Sequence, residues 1–177
     1  TTGLVAQAHG RQDLQAIEQH LVRGLVVAMV LGSLVVVAMP AVHLAAQMML
    51  TASDEVEALM TRYIEVRLFA VPAALGNAVL LGALFGRQQM RLVLLHITLV
   101  NLCNLVLNIS FVVGLGMRIE GVALASAMAQ WAGFGVTLAL IRWQWRDILS
   151  GVLKRSLQMR PAWLDRRALS RFFNAGT

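Results

Sequence analysis

The sequence predicts an all-α protein, a polytopic transmembrane helix bundle with four full spans and an amphipathic cytoplasmic tail. Of its 177 residues, 58% are hydrophobic and 14% are charged, and the mean hydropathy is +0.70. The 15 basic and nine acidic residues all lie outside four windows, at 24–53, 68–86, 92–117 and 121–141. Each window can span a membrane, since about 20 apolar residues cross the hydrocarbon layer. Cytosolic catalytic domains, disulfide scaffolds and disordered chains are excluded.

Each window predicts one helix. The four expected helices cover about 21–45, 68–86, 92–114 and 121–141. Pro40 lies inside the first, where a missing N–H and a bulky ring predict a bend or a helix end. Pro72 lies in the first turn of the second, where it is tolerated. Small residues spaced four apart predict contact ridges between the helices. These are Gly24, Ala28 and Gly32; Ala74, Ala78, Gly82 and Gly86; and Ala125, Ala129 and Gly133.

The charges of the connectors predict the orientation of the helices, because Lys and Arg stay preferentially on the cytoplasmic side. The connector 54–67 carries four acids and two arginines and is expected outside. The connector 87–91 carries two arginines and no acid and is expected inside. The tail 142–177 has eight basic and two acidic residues, with apolar residues at helical spacing, so it is expected to rest on the inner membrane surface. Four crossings then place the N-terminal segment inside as well.

Polar residues inside the third window form one face. Asn101, Asn104 and Asn108 fall within about 60° of one another at about 100° per residue. Such amides are expected to face protein or a wet cavity and not lipid. They either form hydrogen bonds between helices or line a substrate or ion path. Asn77 in the second window, and Ser126 with Gln130 in the fourth, are candidates for the same cluster. His96 points away from the asparagine face near the cytoplasmic end of its window, where an interfacial role is favoured over a proton relay.

No catalytic chemistry is indicated. The four windows contain no Asp or Glu, and no His, Cys and carboxylate set has the spacing of a metal site or an activated nucleophile. Phosphate-binding glycine loops are absent. We therefore expect no enzyme activity, cofactor or metal. The net charge of +6 comes mainly from the tail, and nucleic acid is not an expected partner.

Four stretches, at 1–13, 63–88, 101–116 and 121–133, resemble the multidrug and toxic compound extrusion (MATE) transporters, in particular the DinF-type branch. The resemblance implies a two-lobe fold of twelve helices. It places residues 1–141 in the N-terminal lobe, from the end of the second helix through the sixth, and makes 142–177 the cytoplasmic connector between lobes. Both chain ends are interpreted as internal to a longer polypeptide, whose remainder would be a partner.

The resemblance also implies a transport cavity in this lobe. Asn77 resembles the cavity asparagine of the fourth helix and Asn104 that of the fifth, while Ser126 stands where the sixth often has threonine. Asn108 departs from the family because relatives commonly carry aspartate there, and many have glutamate where Gln130 stands. An amide cannot exchange a proton near neutral pH. The titratable acid is therefore expected outside this chain, and the coupling ion is H⁺ or Na⁺.

The expected function is export of amphipathic drugs or toxic compounds by cation- or proton-coupled antiport and alternating access. The location implied is the bacterial cytoplasmic (inner) membrane, with lipids and a small-molecule substrate as partners. Two alternatives remain. A lipid-linked precursor flippase would favour basic residues in the cavity, and a non-transporting membrane scaffold would use the asparagines only to hold helices together.

Overall fold

The computed structural model describes residues 1–49 and 54–145, and these residues are almost entirely helical. They form seven α-helices and one π-helical segment: α1 Thr2–Gly10, α2 Leu14–Val37, α3 Met39–Met49, α4 Asp54–Phe69, α5 Val71–Gly86, α6 Met90–Asn108, the π segment Ile109–Gly114, and α7 Ile119–Gln144. The predicted all-α membrane bundle is confirmed. The tail predicted to be amphipathic lies outside the described residues from 146 onward.

Three helical stretches are long and apolar enough to cross a membrane, namely Leu14–Val37, Met90–Gly114 and Ile119–Gln144. A fourth span is reached if Val56–Phe69 and Val71–Gly86 are counted together, since they pass the same test as a pair bent by 40°. The described residues thus contain three or four candidate spans.

The first predicted helix, 21–45, is two helices in the structure. The helix α2 begins earlier, at Leu14, where the side chain of Asp13 accepts a hydrogen bond of 3.0 Å from the backbone N–H of Ala16. It ends at Val37, and α3 starts at Met39. Pro40 is the second residue of α3, a position that needs no backbone N–H, and its ring blocks continuation of the preceding turn. The interruption expected at Pro40 is present.

The second predicted helix, 68–86, also has different bounds. The acidic connector 54–67 is itself helical, as α4, because it contains no Gly or Pro and is rich in Glu, Ala, Leu, Met and Arg. The helix is interrupted at Ala70, and α5 begins at Val71 with Pro72 in its first turn. The candidate fourth span is therefore a bent pair of helices.

Small residues set the distance between α2 and α5. Gly24, Ala28 and Gly32 are buried along one side of α2, as the predicted ridge requires. A Cβ added at Gly32 would lie 2.5 Å from the Cα of Pro72, so only glycine allows this approach. The predicted ridge on α5 is only partly correct, because Ala78 is exposed. The helix α5 is covered by α1, α2 and α7, and its buried stripe follows positions three and four residues apart, through Ala73, Gly76, Asn77, Leu80 and Leu84.

Two turns of the bundle share three of four residues and the same backbone hydrogen bonds. Residues 10–13 read Gly-Arg-Gln-Asp and residues 86–89 read Gly-Arg-Gln-Gln. Gln12 and Gln88 occupy the left-handed region, with φ of 56° and 57°. The next residue donates its N–H back to the preceding helix in both cases, from Asp13 to Ala8 O and from Gln89 to Leu84 O, each at 2.9 Å. The turns join α1 to α2 and α5 to α6.

We call the end of the bundle that carries these two turns and the C-terminus of α7 the basic end. Arg11, Arg87, Arg91 and Arg142 lie there. The guanidinium of Arg87 stacks on the buried ring of Trp145, with its carbon 4.2 Å from the ring centroid, and burial lowers the pKa of Arg87. An apolar cluster that includes side chains of α1, α2, α5, α6 and α7 packs beneath this contact.

At the opposite end, Arg62 of α4 donates to Glu120 of α7 at 2.8 Å. Both side chains are solvent-accessible, so this pair contributes little stability. The pair joins the acidic helix α4 to the start of α7.

Candidate functional site

The six residues predicted to line a cavity lie on three helices that pack together. Asn77 is on α5; Asn101, Asn104 and Asn108 are on α6; Ser126 and Gln130 are on α7. The helix α7 contacts both α5 and α6 along its length. Hydrogen bonds join five of the six side chains in two groups, Asn77 with Gln130 and Asn104 with Ser126 and Asn108. We call these five residues the amide cluster. The sixth, Asn101, stands outside it.

Asn77 joins α5 to α7. Its side-chain nitrogen donates to the backbone oxygen of Gln130 at 2.9 Å and to the Oε1 of the same residue at 2.8 Å. Asn77 is 4% exposed. Its own carbonyl oxygen, Oδ1, is buried and has no hydrogen-bond partner. Such an oxygen is an acceptor whose desolvation is uncompensated, which is costly in an apolar environment.

Asn104 and Asn108 form a short chain of bonds at the interface of α6 with α7. The Nδ2 of Asn104 donates to the hydroxyl of Ser126 at 3.0 Å, and the Nδ2 of Asn108 donates to the Oδ1 of Asn104 at 2.6 Å. The Oδ1 of Asn108, like that of Asn77, is buried without a partner. The cluster therefore presents two unused carbonyl oxygens.

The helix α6 changes its winding directly after Asn108. Residues Ile109–Gly114 form a π-helical segment, in which the N–H of Leu115 bonds to the oxygen of Ser110 at 3.0 Å. The hydroxyl of Ser110 donates back to Val106 O at 2.8 Å. Segments of this kind are rare and often occur at functional sites. No pattern in the local sequence predicted this segment.

Asn101 does not join the cluster. It is exposed, and its side chain makes no hydrogen bond within the described residues. The three asparagines do share a face of α6, but only Asn104 bonds across to α7, and Asn108 bonds to Asn104. The structure therefore places five of the six predicted residues together.

Two residues that the sequence analysis did not assign to the cluster complete the polar contacts of α7. The Nδ1 of His96 lies 2.7 Å from the Oγ1 of Thr137, and both side chains are buried. The structure thus places His96 between α6 and α7, and its interfacial depth in the membrane stays a prediction. Ser126, Gln130 and Thr137 fall within about 40° on α7. We call these three residues the polar seam of α7.

Glu18 is a second buried group that sequence reasoning missed. It lies in the first turns of α2, is 2% exposed, and its Oε2 has no hydrogen-bond partner. Charge patterning placed it outside the spanning windows, and nothing in its local sequence marks it as buried. Only the packing of α2 onto its neighbours does so.

The chemistry of the amide cluster is that of neutral hydrogen-bonding groups. Amide nitrogens are donors and the two unused oxygens are acceptors, but none of these groups exchanges a proton near neutral pH. No group of three or more His, Cys, Asp or Glu side chains with metal-site geometry occurs in the described residues. The cluster can bind polar or cationic groups but cannot itself carry a proton.

Comparison with known proteins identifies the family. Residues 1–110 match the MatE family. The chain is also 36% identical over 143 residues to DNA damage-inducible protein F of Escherichia coli (strain K12), a match that covers 80% of this chain and 31% of that protein. No solved structure matches. Because the family match covers more than half of the chain, and the polar contacts lie between apolar helices of membrane-spanning length, this chain belongs to the MATE family of transporters, with DinF among its relatives.

Proposed function

We propose that this chain forms part of a secondary antiporter that exports amphipathic, often cationic compounds against an inward H⁺ or Na⁺ gradient. The chain spans about a third of the length of its DinF relative, so the activity proposed is that of the complete transporter. The membrane is the bacterial cytoplasmic membrane, and the basic end faces the cytoplasm, as the distribution of arginines favours.

The amide cluster is the observation that carries this proposal. It lies between helices α5, α6 and α7, and two of its carbonyl oxygens, those of Asn77 and Asn108, are buried without partners. Polar groups in the interior of a membrane protein are costly and mark substrate or ion paths. Carbonyl oxygens are suited to a cation or a hydrogen-bond donor, which fits the proposed substrate class.

Transport then follows from alternating access. The lobe exchanges between states open to either side, and substrate and coupling ion favour different states. An ion drives the exchange only through its difference in affinity for the two states. The amide cluster supplies part of a binding surface, and an acid outside this chain, as expected from the family, would supply the titratable partner.

Uptake into proteoliposomes tests the proposal. The full-length gene product is reconstituted, and uptake of a fluorescent cationic dye is measured on imposing a pH or Na⁺ gradient. We expect gradient-driven uptake that Asn108→Ala reduces and that Asn108→Asp alters in its pH dependence, because aspartate adds a titratable group. The matched control is Ser33→Ala, at an exposed position on α2. If both Asn108 variants keep the uptake and the pH dependence of the natural protein, the assignment of Asn108 is wrong.

The two alternatives predict different results. A flippase binding a pyrophosphate would need basic side chains near the cluster, and α5, α6 and α7 carry arginine only at their ends. A scaffold would give no gradient-driven uptake, and cysteines placed at 104 and 108 would resist water-soluble reagents under all conditions.

A further inference from the structure

A buried pair lies on the polar seam beyond the amide cluster. His96 of α6 is 4% exposed and Thr137 of α7 is 3% exposed, with the Nδ1 of the first 2.7 Å from the Oγ1 of the second. Thr137 is seven residues after Gln130 and so lies on nearly the same side of α7. The seam thus bonds to amide side chains of α5 and α6 through Gln130 and Ser126, and to the imidazole of His96 through Thr137.

The pair is closed on both sides. Between it and Gln130 lies Gly133, where a Cβ would contact Val100 and would come within 3.6 Å of the imidazole. Toward the basic end, Ile141 is 1% exposed and belongs to the apolar cluster. The imidazole is therefore almost fully enclosed in this conformation, and a movement of α6 relative to α7 would expose it further.

We propose that His96 is a proton-binding site of this lobe. Its hydrogen bond with Thr137 couples the protonation of the imidazole to the position of α7. The inference rests on the proposed function, since it assigns a proton site to the antiporter within this chain. It differs from the sequence-based expectations, which favoured an interfacial role for His96 and placed the titratable acid outside this chain.

On the helices that enclose the pair, His96 is the side chain suited to bind and release a proton near neutral pH. It is the one side chain of α5, α6 and α7 that ordinarily changes charge between pH 5 and 8. The charged groups nearest to it along the packed helices are Arg91, Arg142 and, in the turn after α5, Arg87. Cys103, two turns further along α6, is the other ionisable group on this side and is partly buried.

Protonation would reverse the hydrogen bond. With a neutral imidazole protonated on Nε2, the hydroxyl of Thr137 donates to Nδ1. After proton uptake, Nδ1–H donates to Oγ1, and the hydroxyl proton must turn to another acceptor. The backbone oxygen of Gly133, four residues earlier on α7, is the usual one for a threonine in a helix. A charged imidazole in an enclosed apolar site also favours separation of the two helices, which connects proton binding with the conformational change.

Transport measurements test the inference with three variants. Uptake of the dye by the full-length gene product is recorded from pH 5.5 to 8 for His96→Gln, Thr137→Val and Thr137→Ser. Glutamine keeps a polar side chain without a titratable group, valine removes the hydroxyl, and serine retains it. We expect His96→Gln to flatten the pH profile and to lower proton-driven uptake by roughly five- to tenfold. Thr137→Val should shift the profile, and Thr137→Ser should leave it in place.

A direct readout of proton binding accompanies transport. The imidazole resonances of the isotope-labelled protein are followed by NMR over the same pH range, and the His96 signal is assigned as the one missing from His96→Gln. If that variant does not fold, the assignment comes from replacing the other histidines one by one, which in this chain are His9, His20 and His43. A His96 signal that titrates in this range, and that shifts when Thr137 is replaced by valine, supports the inference.

The outcomes separate the two proposals. If the natural protein shows no gradient-driven uptake, the proposed function fails, and the NMR titration alone decides whether His96 binds a proton. If uptake occurs and His96→Gln keeps its full pH profile, the proton site is refuted while the transporter stands. A His96 signal that does not change between pH 5.5 and 8 also overturns the inference.

Discussion

Asn77 is the residue on which the link between α5 and α7 depends most. Its amide nitrogen serves two acceptors of Gln130, one on the backbone and one on the side chain. We expect Asn77→Ala to lower the free energy of unfolding by about 1–3 kcal/mol, because it leaves buried groups of Gln130 unpaired. Thermal unfolding in detergent measures the loss. The control is Ser33→Ala, which should remain within about 0.5 kcal/mol of the natural protein. Equal stability of the two variants would show that the bonds seen here are not maintained.

Glu18 gives a prediction of the opposite sign. Its carboxyl is buried and one oxygen has no partner, so the folded protein carries an uncompensated desolvation cost. Replacement of such groups by apolar side chains of similar size is often neutral or stabilising. We expect Glu18→Met to raise the unfolding midpoint or to leave it unchanged, whereas Glu65→Met, at an exposed site on α4, should have no effect. A marked loss of stability in Glu18→Met would reveal a partner for the carboxyl.

The sequence could predict which residues of the amide cluster share a face but not which of them meet. The period of an α-helix places Asn104 and Asn108 on one side of α6 without any knowledge of neighbours. The bond between Asn77 and Gln130 depends on the register of two helices 53 residues apart in sequence, which no local pattern encodes. Thr137 was missed for a related reason, because a single threonine in an apolar helix can bond its own backbone.

At the level of the elements, close packing of α2 on α5 depends on Gly32. A side chain at this position would collide with the backbone of Pro72, which cannot move aside cheaply. We expect Gly32→Leu to destabilise the bundle by about 3 kcal/mol or to prevent its folding, since overpacking and helix displacement add. The matched control is Gly135→Ala on α7, where nothing lies within 4 Å of the added Cβ. That change should stabilise by up to about 1 kcal/mol through helix propensity. Similar melting of both variants would contradict the packing described.

The repeated turns allow a test of backbone conformation. Gln88 has a φ of 57°, which costs a non-glycine residue about 1–2 kcal/mol. We expect Gln88→Gly to be neutral or slightly stabilising and Gln88→Val to be destabilising by more than 1 kcal/mol, because a β-branched side chain fits this region poorly. Melting curves of the two variants decide the matter, and a valine variant as stable as the glycine variant would show that the turn is not left-handed.

Element bounds were the least predictable feature. The run of uncharged residues gave the membrane-crossing part of α2 but not its amphipathic beginning at Leu14, because charged residues continue the helix past the apolar window. The break at Pro40 could be predicted from the chemistry of proline alone. The helical nature of α4 was hidden by its charge, which was used to assign the side of the membrane and says nothing against a helix.

For the whole molecule, the separation of charge predicts how the bundle sits in the membrane. The arginines of the basic end and the acidic residues of α4 lie at opposite ends of the spanning helices. After replacement of Cys103 by alanine, we expect Gln88→Cys to react with an impermeant maleimide only from the cytoplasmic side, and Ala58→Cys only from the periplasmic side. Both positions are exposed. Labelling of both cysteines from the same side would exclude this orientation.

The two Gly-Arg-Gln turns have a mechanical meaning. Each connects its helices by three residues whose backbone N–H groups are all bonded to the helix before them, so neither offers slack. The turns therefore hold the two helices of each hairpin, α1–α2 and α5–α6, rigidly together at the basic end. A rocking motion of this lobe would then move these four helices as one rigid body. Bending would occur toward the opposite end of the bundle, at the helix breaks beside Ala38 and Ala70.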